Sequence, residues 1–355
     1  MGKVRLGIIG CGNALHILHK EGLTTNPDIE IVAACDTEIK RAEQVRDEFG
    51  LDTAYSDYNE LLKRDDVDAV DIIMPTFLHA PVLTAALNAG KHAFCEKPDA
   101  LNAKEFQAVV DAADRAGKVC MVMRNTRYNP AAQYAKKCVL AGDLGDIYFA
   151  KCGWIRRRGI PGKGGWITTK ALAGGGPLID LGVHIVDLAI WLMGYPKPVS
   201  VSGQTFCKFA DNDAIADSFH ARFGEKKADG IFDVEDMAVG MVRFENGAVL
   251  QLEISWASNI QRETRYVDLY GDKAGCKFDD GEVFLFGENH RRLVDIVPQI
   301  PATGNVGHAE CIANFINVIN GVEEPYYTLQ QGIDLLKILD AIYESAEKGC
   351  EIKLD

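Results

Sequence analysis

Short apolar runs alternate with amphipathic stretches through the first third of the chain. Residues 4–10 (VRLGIIG), 29–35 (IEIVAAC), 67–73 (VDAVDII), 92–95 (HAFC) and 118–123 (KVCMVM) read as buried strands. Residues 13–22, 37–49, 79–89 and 102–116 read as helices between them. Apolar strands alternating with helices predict a parallel, doubly wound sheet. The pattern changes after about residue 124. Residues 130–141 read as a helix. Glycine-bounded strand-like runs follow at 147–156, 199–206, 237–244, 248–257, 265–270, 274–279 and 282–286. Asn246-Gly247 between two of them is a hairpin signal, and the series predicts a largely antiparallel sheet. Residues 207–235, polar and acidic, read as an irregular excursion, and the chain returns to helices at 308–320 and 328–348. Two domains are expected, 1–123 and 124–355.

One helix stands apart, in residues 174–194, GGGPLIDLGVHIVDLAIWLMG. Three glycines and Pro177 lead into it, and Gly194 and Pro196 stop it. Leu178, Ile179, Leu181, Ile185, Leu188, Ile190, Trp191 and Leu192 cover most of its surface, as on a buried helix. Asp180, His184 and Asp187 sit inside it at spacings of four and three residues, which stacks them on one face. A carboxylate and an imidazole kept inside such a helix form either a paired structural contact or the lining of a site. The helix alone leaves both readings open.

The strand ends carry further signals. The first strand runs into Gly10-Cys11-Gly12 and a helix start, the arrangement of a phosphate-binding unit in a dinucleotide fold. Gly10 allows the turn, and Gly12 lets the backbone approach a pyrophosphate. The third small residue of G-x-G-x-x-G/A is absent, and Leu15 stands in its place. The second strand ends at Asp36, where a carboxylate holds the ribose diol of NAD. The other reading of Asp36 is a helix-start residue; its context, strand–GxG–helix–strand–Asp, favours the ribose role. Met74-Pro75-Thr76 break the third strand, and the fourth ends in Glu96-Lys97-Pro98. Ligands of such sheets bind beyond the carboxyl ends of the strands. Gly10 and Gly12, Asp36, Pro75 and Thr76, and Glu96 and Lys97 all lie at such ends. His79 either touches the nicotinamide side or starts its helix, and the helix start is the favoured reading.

Composition narrows the class. The 355 residues have room for two domains, and the formal net charge of −13 argues against nucleic acid and anionic membranes as partners. The ten cysteines are scattered without a C-x-x-C pair, which predicts reduced, buried thiols (Cys11, Cys35, Cys95, Cys120) and no structural zinc or other metal. The N-terminus enters a strand at once, without a signal-peptide core, and no apolar run reads as long enough to span a bilayer. A cytoplasmic protein is expected.

The chain resembles the glucose–fructose oxidoreductase / inositol dehydrogenase (Gfo/Idh/MocA) family over essentially its whole length. The resemblance rests on GIIGCGN in the first strand, CEKP at 95–98, the helix 174–194, and HAECIANFINVINGVEEPYYTLQQGIDLLKILDAIYESAEKG at 308–349. It implies an α/β protein: an N-terminal Rossmann domain with a parallel doubly wound sheet, then an α+β domain with a large open, mostly antiparallel sheet. That sheet commonly joins copies into a homo-oligomer, here a dimer or tetramer. The resemblance further implies that Lys97, Asp180 and His184 face the nicotinamide, and it adds Asn13 to the cofactor-binding positions. Two departures stand out. His19 lies one place later than the family's usual His, as though the segment carried an extra residue. Asp99 follows E-K-P where a small or apolar residue is usual.

The expected chemistry suits these residues. Oxidising a secondary alcohol removes the hydroxyl proton and passes a hydride to the nicotinamide. His184 is the candidate base. Lys97 supplies a cation beside the forming alkoxide, and Asp180 orients the imidazole or holds a substrate hydroxyl. Asp187 reads as a structural polar partner. In Arg156-Arg157-Arg158, strand geometry turns Arg156 and Arg158 one way and Arg157 the other. Either face can line the substrate site or a solvated or subunit surface, and Arg156 is the substrate-binding candidate. The expected function is an NAD-dependent oxidoreductase acting on a secondary hydroxyl of a sugar, sugar derivative or cyclic polyol, with NADP the less favoured cofactor. Two alternatives stand beside it: an enzyme that cleaves glycosides through transient oxidation, and a non-catalytic NAD-bound sensor. Asp36 favours NAD because its charge repels a ribose phosphate, with Lys40 and Arg41 as the counter-evidence.

Overall fold

A computed structural model of the chain describes residues 2–210, 224, 226–300 and 307–354. The chain divides into two compact units, Met1–Asn125 with Asn305–Ile333, and Thr126–Gly304 with Asp334–Asp355. Residues 307–333, late in the chain, belong to the first of these units.

The first unit is built on a six-stranded, all-parallel sheet in the order β3-β2-β1-β4-β5-β6. Its strands are β1 (Val4–Ile9), β2 (Ile29–Cys35), β3 (Ala54–Tyr55), β4 (Ala69–Ile72), β5 (His92–Cys95) and β6 (Cys120–Val122). Strand β3 is absent from the sequence reading, because two residues at a sheet edge carry no periodicity. The connecting helices are α1 (Lys20–Thr25), α2 (Ile39–Phe49), α3 (Tyr58–Leu62), α4 (His79–Asn88) and α5 (Ala103–Ala116). In α5, Phe106, Val109, Ala112 and Ala113 form the buried stripe of an amphipathic helix. Asn102 caps its N-terminus by accepting the Glu105 N–H, a contact worth about 1 kcal/mol, and Gly117 ends it in the left-handed conformation.

Ahead of α1, residues Leu15–His19 form a π-helical turn. A π turn absorbs one surplus residue without breaking the helix. It therefore accounts for both Leu15 and the late position of His19. Leu15 is fully buried.

Helix α9 (His308–Ile319) packs on α1 and β5. Asp99, unexplained in the sequence, has a structural role. It is fully buried, forms a bidentate ion pair with Arg124 (2.7 and 2.9 Å) and accepts a hydrogen bond from the Tyr327 hydroxyl. It thus ties the returning segment to the end of β6. Asp99→Ala removes the carboxylate from a buried guanidinium, and the expected loss of stability is about 3–5 kcal/mol. Denaturant unfolding of wild type and variant measures it; a loss under about 1 kcal/mol contradicts this role.

The second unit carries a nine-stranded sheet in the order β14-β13-β12-β11-β7-β10-β9-β8-β15. Its strands are β7 (Ile147–Ile155), β8 (Pro198–Phe206), β9 (Met237–Phe244), β10 (Val249–Ser255), β11 (Thr264–Gly271), β12 (Gly275–Asp279), β13 (Glu282–Asn289), β14 (Arg292–Ile296) and β15 (Ile352–Lys353). All pairings are antiparallel except β7 with β10. Alternation along β10 buries Leu250, Leu252 and Ile254 in the helix-covered core. Strands β14 and β15 went unread. The turn before β14 uses His290 and Arg291, both at positive φ, instead of the Asn-Gly that announces such a turn. Helix α6 (Pro130–Ala141) packs against α8 (Val183–Leu192). Of the expected excursion at 207–235, residues 211–223 and 225 lie outside the described residues, and the described remainder is turn and coil.

Among the described residues, the stretch Lys170–Leu192 is long and apolar enough to cross a membrane by length and composition alone, a property that a buried core helix shares equally. Its apolarity serves the core, since 89% of its most apolar window is buried inside the protein.

Candidate active site

In the first unit, strand register sets the candidate positions side by side. Ile9 pairs with Cys35 and with Ile72, and Ile72 pairs with Cys95. The residues that follow, Gly10 to Asn13, Asp36, Pro75 with Thr76, and Glu96 with Lys97, therefore share one sheet edge. Gly10 has φ +105°, and a Cβ there would lie 2.0 Å from the Ile73 carbonyl oxygen, so only glycine fits. At Gly12 a Cβ would meet nothing within 4 Å, which leaves an open cradle beside the helix start. Asp36 serves two backbone groups. Its Oδ2 accepts the Cys11 N–H (2.9 Å) and its Oδ1 accepts the Glu38 N–H (2.8 Å). The carboxylate thus fixes the glycine turn and the approach to α2, with acceptor capacity left for a diol. An open glycine cradle and a carboxylate at adjacent strand ends fit a dinucleotide.

Behind this edge lies a group the sequence reading missed. His19 is fully buried; its Nδ1 is 2.8 Å from Asp71 Oδ2 and its Nε2 2.8 Å from Glu96 Oε1. Burial alone pushes the imidazole down, but the two carboxylates raise it to about 10, so the ring is an imidazolium. Burial pushes Glu96 up, but the His19 hydrogen bond and charge hold it well below the usual carboxylate range. The second Glu96 oxygen accepts the Lys97 N–H at 3.0 Å. The backbone that presents Lys97 is thereby anchored to a buried ion triad. His79, read as a helix start, also bridges two loops. Its ring nitrogens are 2.6 Å from the Pro98 oxygen and 2.7 Å from the Met74 oxygen. The signal for both histidines was weak, because their partners are distant in the chain.

In the second unit, the helix 174–194 is not uniform. Leu178–Gly182 is a π-helical turn, and α8 follows without a break. Glu235 organises its entry: the buried carboxylate accepts the Gly176 N–H, the Leu178 N–H and the Tyr343 hydroxyl. Burial nevertheless leaves Glu235 raised above the usual range. A Cβ at Gly176 would lie 2.1 Å from the Glu235 carbonyl oxygen, which explains a glycine there. The polar residues of the helix then separate. Asp187 is buried and pairs through two hydrogen bonds with Arg127 (2.6 and 2.8 Å), with Tyr195 alongside; it is structural. Asp180 and His184 are only partly buried. Asp180 Oδ2 accepts the Trp256 indole N–H at 3.0 Å, and the His184 ring lies 5.8 Å from that of Trp154.

Strand β7 ends at Ile155, and the three arginines after it part company. Arg157 is exposed, while Arg158 binds the Ser258 carbonyl and the Asn259 side chain. Arg156 is only 8% exposed. Its guanidinium carbon lies 5.4 Å from the Trp154 ring centre, and that of Arg265, an arginine the sequence reading missed, lies 4.4 Å from the same ring. Burial lowers both, Arg265 to about 10. A desolvated cation–π contact returns about 2 kcal/mol, less than the several kcal/mol that removing an ion from water costs.

A dinucleotide edge in one unit and an Asp–His helix under an open sheet in the other define an oxidoreductase class, and sequence comparison agrees. Residues 4–124 match the profile of an oxidoreductase family with an NAD-binding Rossmann fold, and residues 136–354 match the C-terminal alpha/beta domain of the same family. The chain belongs to the Gfo/Idh/MocA family of oxidoreductases; its first unit is that family's NAD-binding domain. It is 32% identical to D-glucoside 3-dehydrogenase of Escherichia coli, over 99% of this chain and 97% of that one. It is 26% identical to scyllo-inositol 2-dehydrogenase (NAD(+)) of Bacillus subtilis, over 99% and 97%. The crystal structure of an oxidoreductase domain protein from Kribbella flavida superposes with a TM-score of 0.86, at 24% identity and full coverage of both chains.

Proposed function

We propose that the protein oxidises a secondary hydroxyl of a sugar, sugar derivative or cyclic polyol, with NAD as hydride acceptor, or runs the reverse reduction. The observation that carries this reading is the pair Asp180 and His184. They are partly exposed on a helix otherwise devoted to the core, in a chain whose other unit binds NAD. The names of the two relatives support the substrate class. When bound, NAD supplies the hydride acceptor. His184 takes the hydroxyl proton, Asp180 orients the imidazole or a substrate hydroxyl, and Lys97 stabilises the developing alkoxide. Gly10, Gly12, Asn13, Asp36, Pro75, Thr76 and Glu96 line the cofactor side, and Arg156 the substrate side. The division of labour at the chain level is 1–123 for NAD and 124–355 for substrate and assembly. Ten free cysteines, eight of them buried, support a cytoplasmic setting. Leu293 and Ile296, apolar yet exposed on β14, support assembly of copies through the sheet.

The test is reduced-cofactor absorbance over a panel of sugars, glycosides and inositols. NADH formation with any of them supports the reading. Aglycone released without NADH transfers the protein to glycoside cleavage, and neither product from any compound leaves a sensor. Asp36 adds a cofactor expectation: NAD binds more tightly than NADP, and Asp36→Ala narrows the gap, since the carboxylate that repels a ribose phosphate is gone. Titration with both cofactors measures it. Tighter NADP binding by wild type refutes the assignment.

A further inference from the structure

Three arginines among the described residues are buried: Arg124, Arg127 and Arg156. The fold gives the first two a dedicated buried carboxylate each, Asp99 and Asp187. Arg156 has no such partner. Its Nε is buried without a hydrogen bond, and among the described residues the one hydrogen bond of its guanidinium is a 3.4 Å donation from Nη1 to the Gly159 carbonyl. Arg265 stands beside it on the same face of the sheet. Its residue is the cross-strand partner of Trp154, its Nε is likewise buried and unbonded, and its Nη2 donates to Thr126 Oγ1 at 3.0 Å. Among the described residues, neither guanidinium has a carboxylate ion-pair partner. The negative charges of Asp180 and Glu263 act on Arg156, and that of Asp280 on Arg265, without a direct contact. Asp180 is bonded to Trp256 and Glu263 accepts the Arg157 N–H.

Two cations thus share the ring of Trp154, and the same ring faces His184. They repel each other, in a chain that carries 51 acidic and 38 basic residues and pairs its other buried arginines. A fold keeps such an arrangement where an anion completes it, because guanidiniums bind carboxylate and phosphate oxygens in a fixed fork.

We propose that Arg156 and Arg265 form an anion subsite beside Asp180 and His184, and that the substrate is an acidic sugar carrying a carboxylate or a phosphate monoester. The inference rests on the sugar reading above and names the substrate class of that site.

The experiment is calorimetric titration of the NAD-saturated full-length protein with D-glucose, D-glucuronate and D-glucose 6-phosphate at low and high salt, with NADH formation read in parallel. At least one acidic sugar is expected to bind about tenfold more tightly than glucose, as charge-assisted pairing predicts, and the gap should shrink with salt. The acid preferred identifies carboxylate or phosphate as the group. Arg156→Gln and Arg265→Gln are each expected to bring the ratio toward one, while Arg265→Lys keeps part of it. Glucose binding as tightly as both acids, or a gap that survives both Gln substitutions, overturns the subsite. Should a Gln variant fail to fold, the wild-type salt series decides alone, and a salt-independent gap overturns the proposal. NADH formation separates the two readings. Arginine-dependent binding of an acid without NADH from any sugar upholds the subsite and sinks the dehydrogenase; NADH from glucose with no preference for acids does the reverse.

Discussion

His184→Ala is expected to lower turnover by about 10²–10⁴-fold, the usual contribution of a general base, with NAD affinity unchanged. The position makes the test clean. His184 lies in the first turn of α8 and is only partly buried, beside the Trp154 ring. Glu235 at its entry and the Arg127–Asp187 pair three residues further on hold the helix. Removing the imidazole therefore leaves the core in place, which circular dichroism and a thermal melt verify. The readout specific to a base is the pH profile of kcat, whose acidic limb should disappear in the variant. A folded variant with wild-type turnover would return His184 to a structural role and remove the strongest support for the proposed chemistry.

The parallel sheet is legible because apolar strands alternate with helices, and its ligand edge because several strands end at chemical markers: a glycine turn after β1, Asp36 after β2, Glu96-Lys97 after β5. Register then brings these ends together. Helix 130–141 was read to its observed bounds because Asn129 and Pro130 open it and Gly142 closes it. What escaped depends on partners far apart in the chain. His19, Asp71 and Glu96 meet only once three segments have folded. Asp99 needs Arg124 and Tyr327, and Arg265 becomes a site candidate only through its register opposite Trp154. The Asp180–His184–Asp187 spacing implies a shared face, and the structural reading of Asp187 is met by its pairing with Arg127, a distant partner the sequence did not name, while the other two are not as deeply buried. Spacing within a helix shows which residues are neighbours; which of them the core takes depends on what packs against it.

Lys97→Met should separate catalysis from cofactor binding. Lys97 follows β5 at the sheet edge that carries Gly10, Gly12 and Asp36, and its N–H is held by Glu96, itself fixed by His19. The buried triad positions the backbone whether or not the ammonium is present. Methionine keeps the apolar stem and deletes the charge, so the fold and the Glu96 contact should survive. On the proposed mechanism the charge acts on the alkoxide, which develops only as the reaction proceeds. Its removal should therefore lower kcat by about 10²–10³-fold, as when a preorganised electrostatic group is lost, while NAD affinity changes little. Lys97→Arg should rescue poorly, because a planar guanidinium is larger and presents its donors in a fixed fork. Calorimetric titration of NAD beside steady-state kinetics decides between the roles. An NAD affinity that falls in proportion to kcat makes Lys97 a cofactor anchor, and the stabilisation of the alkoxide would then have to come from another group.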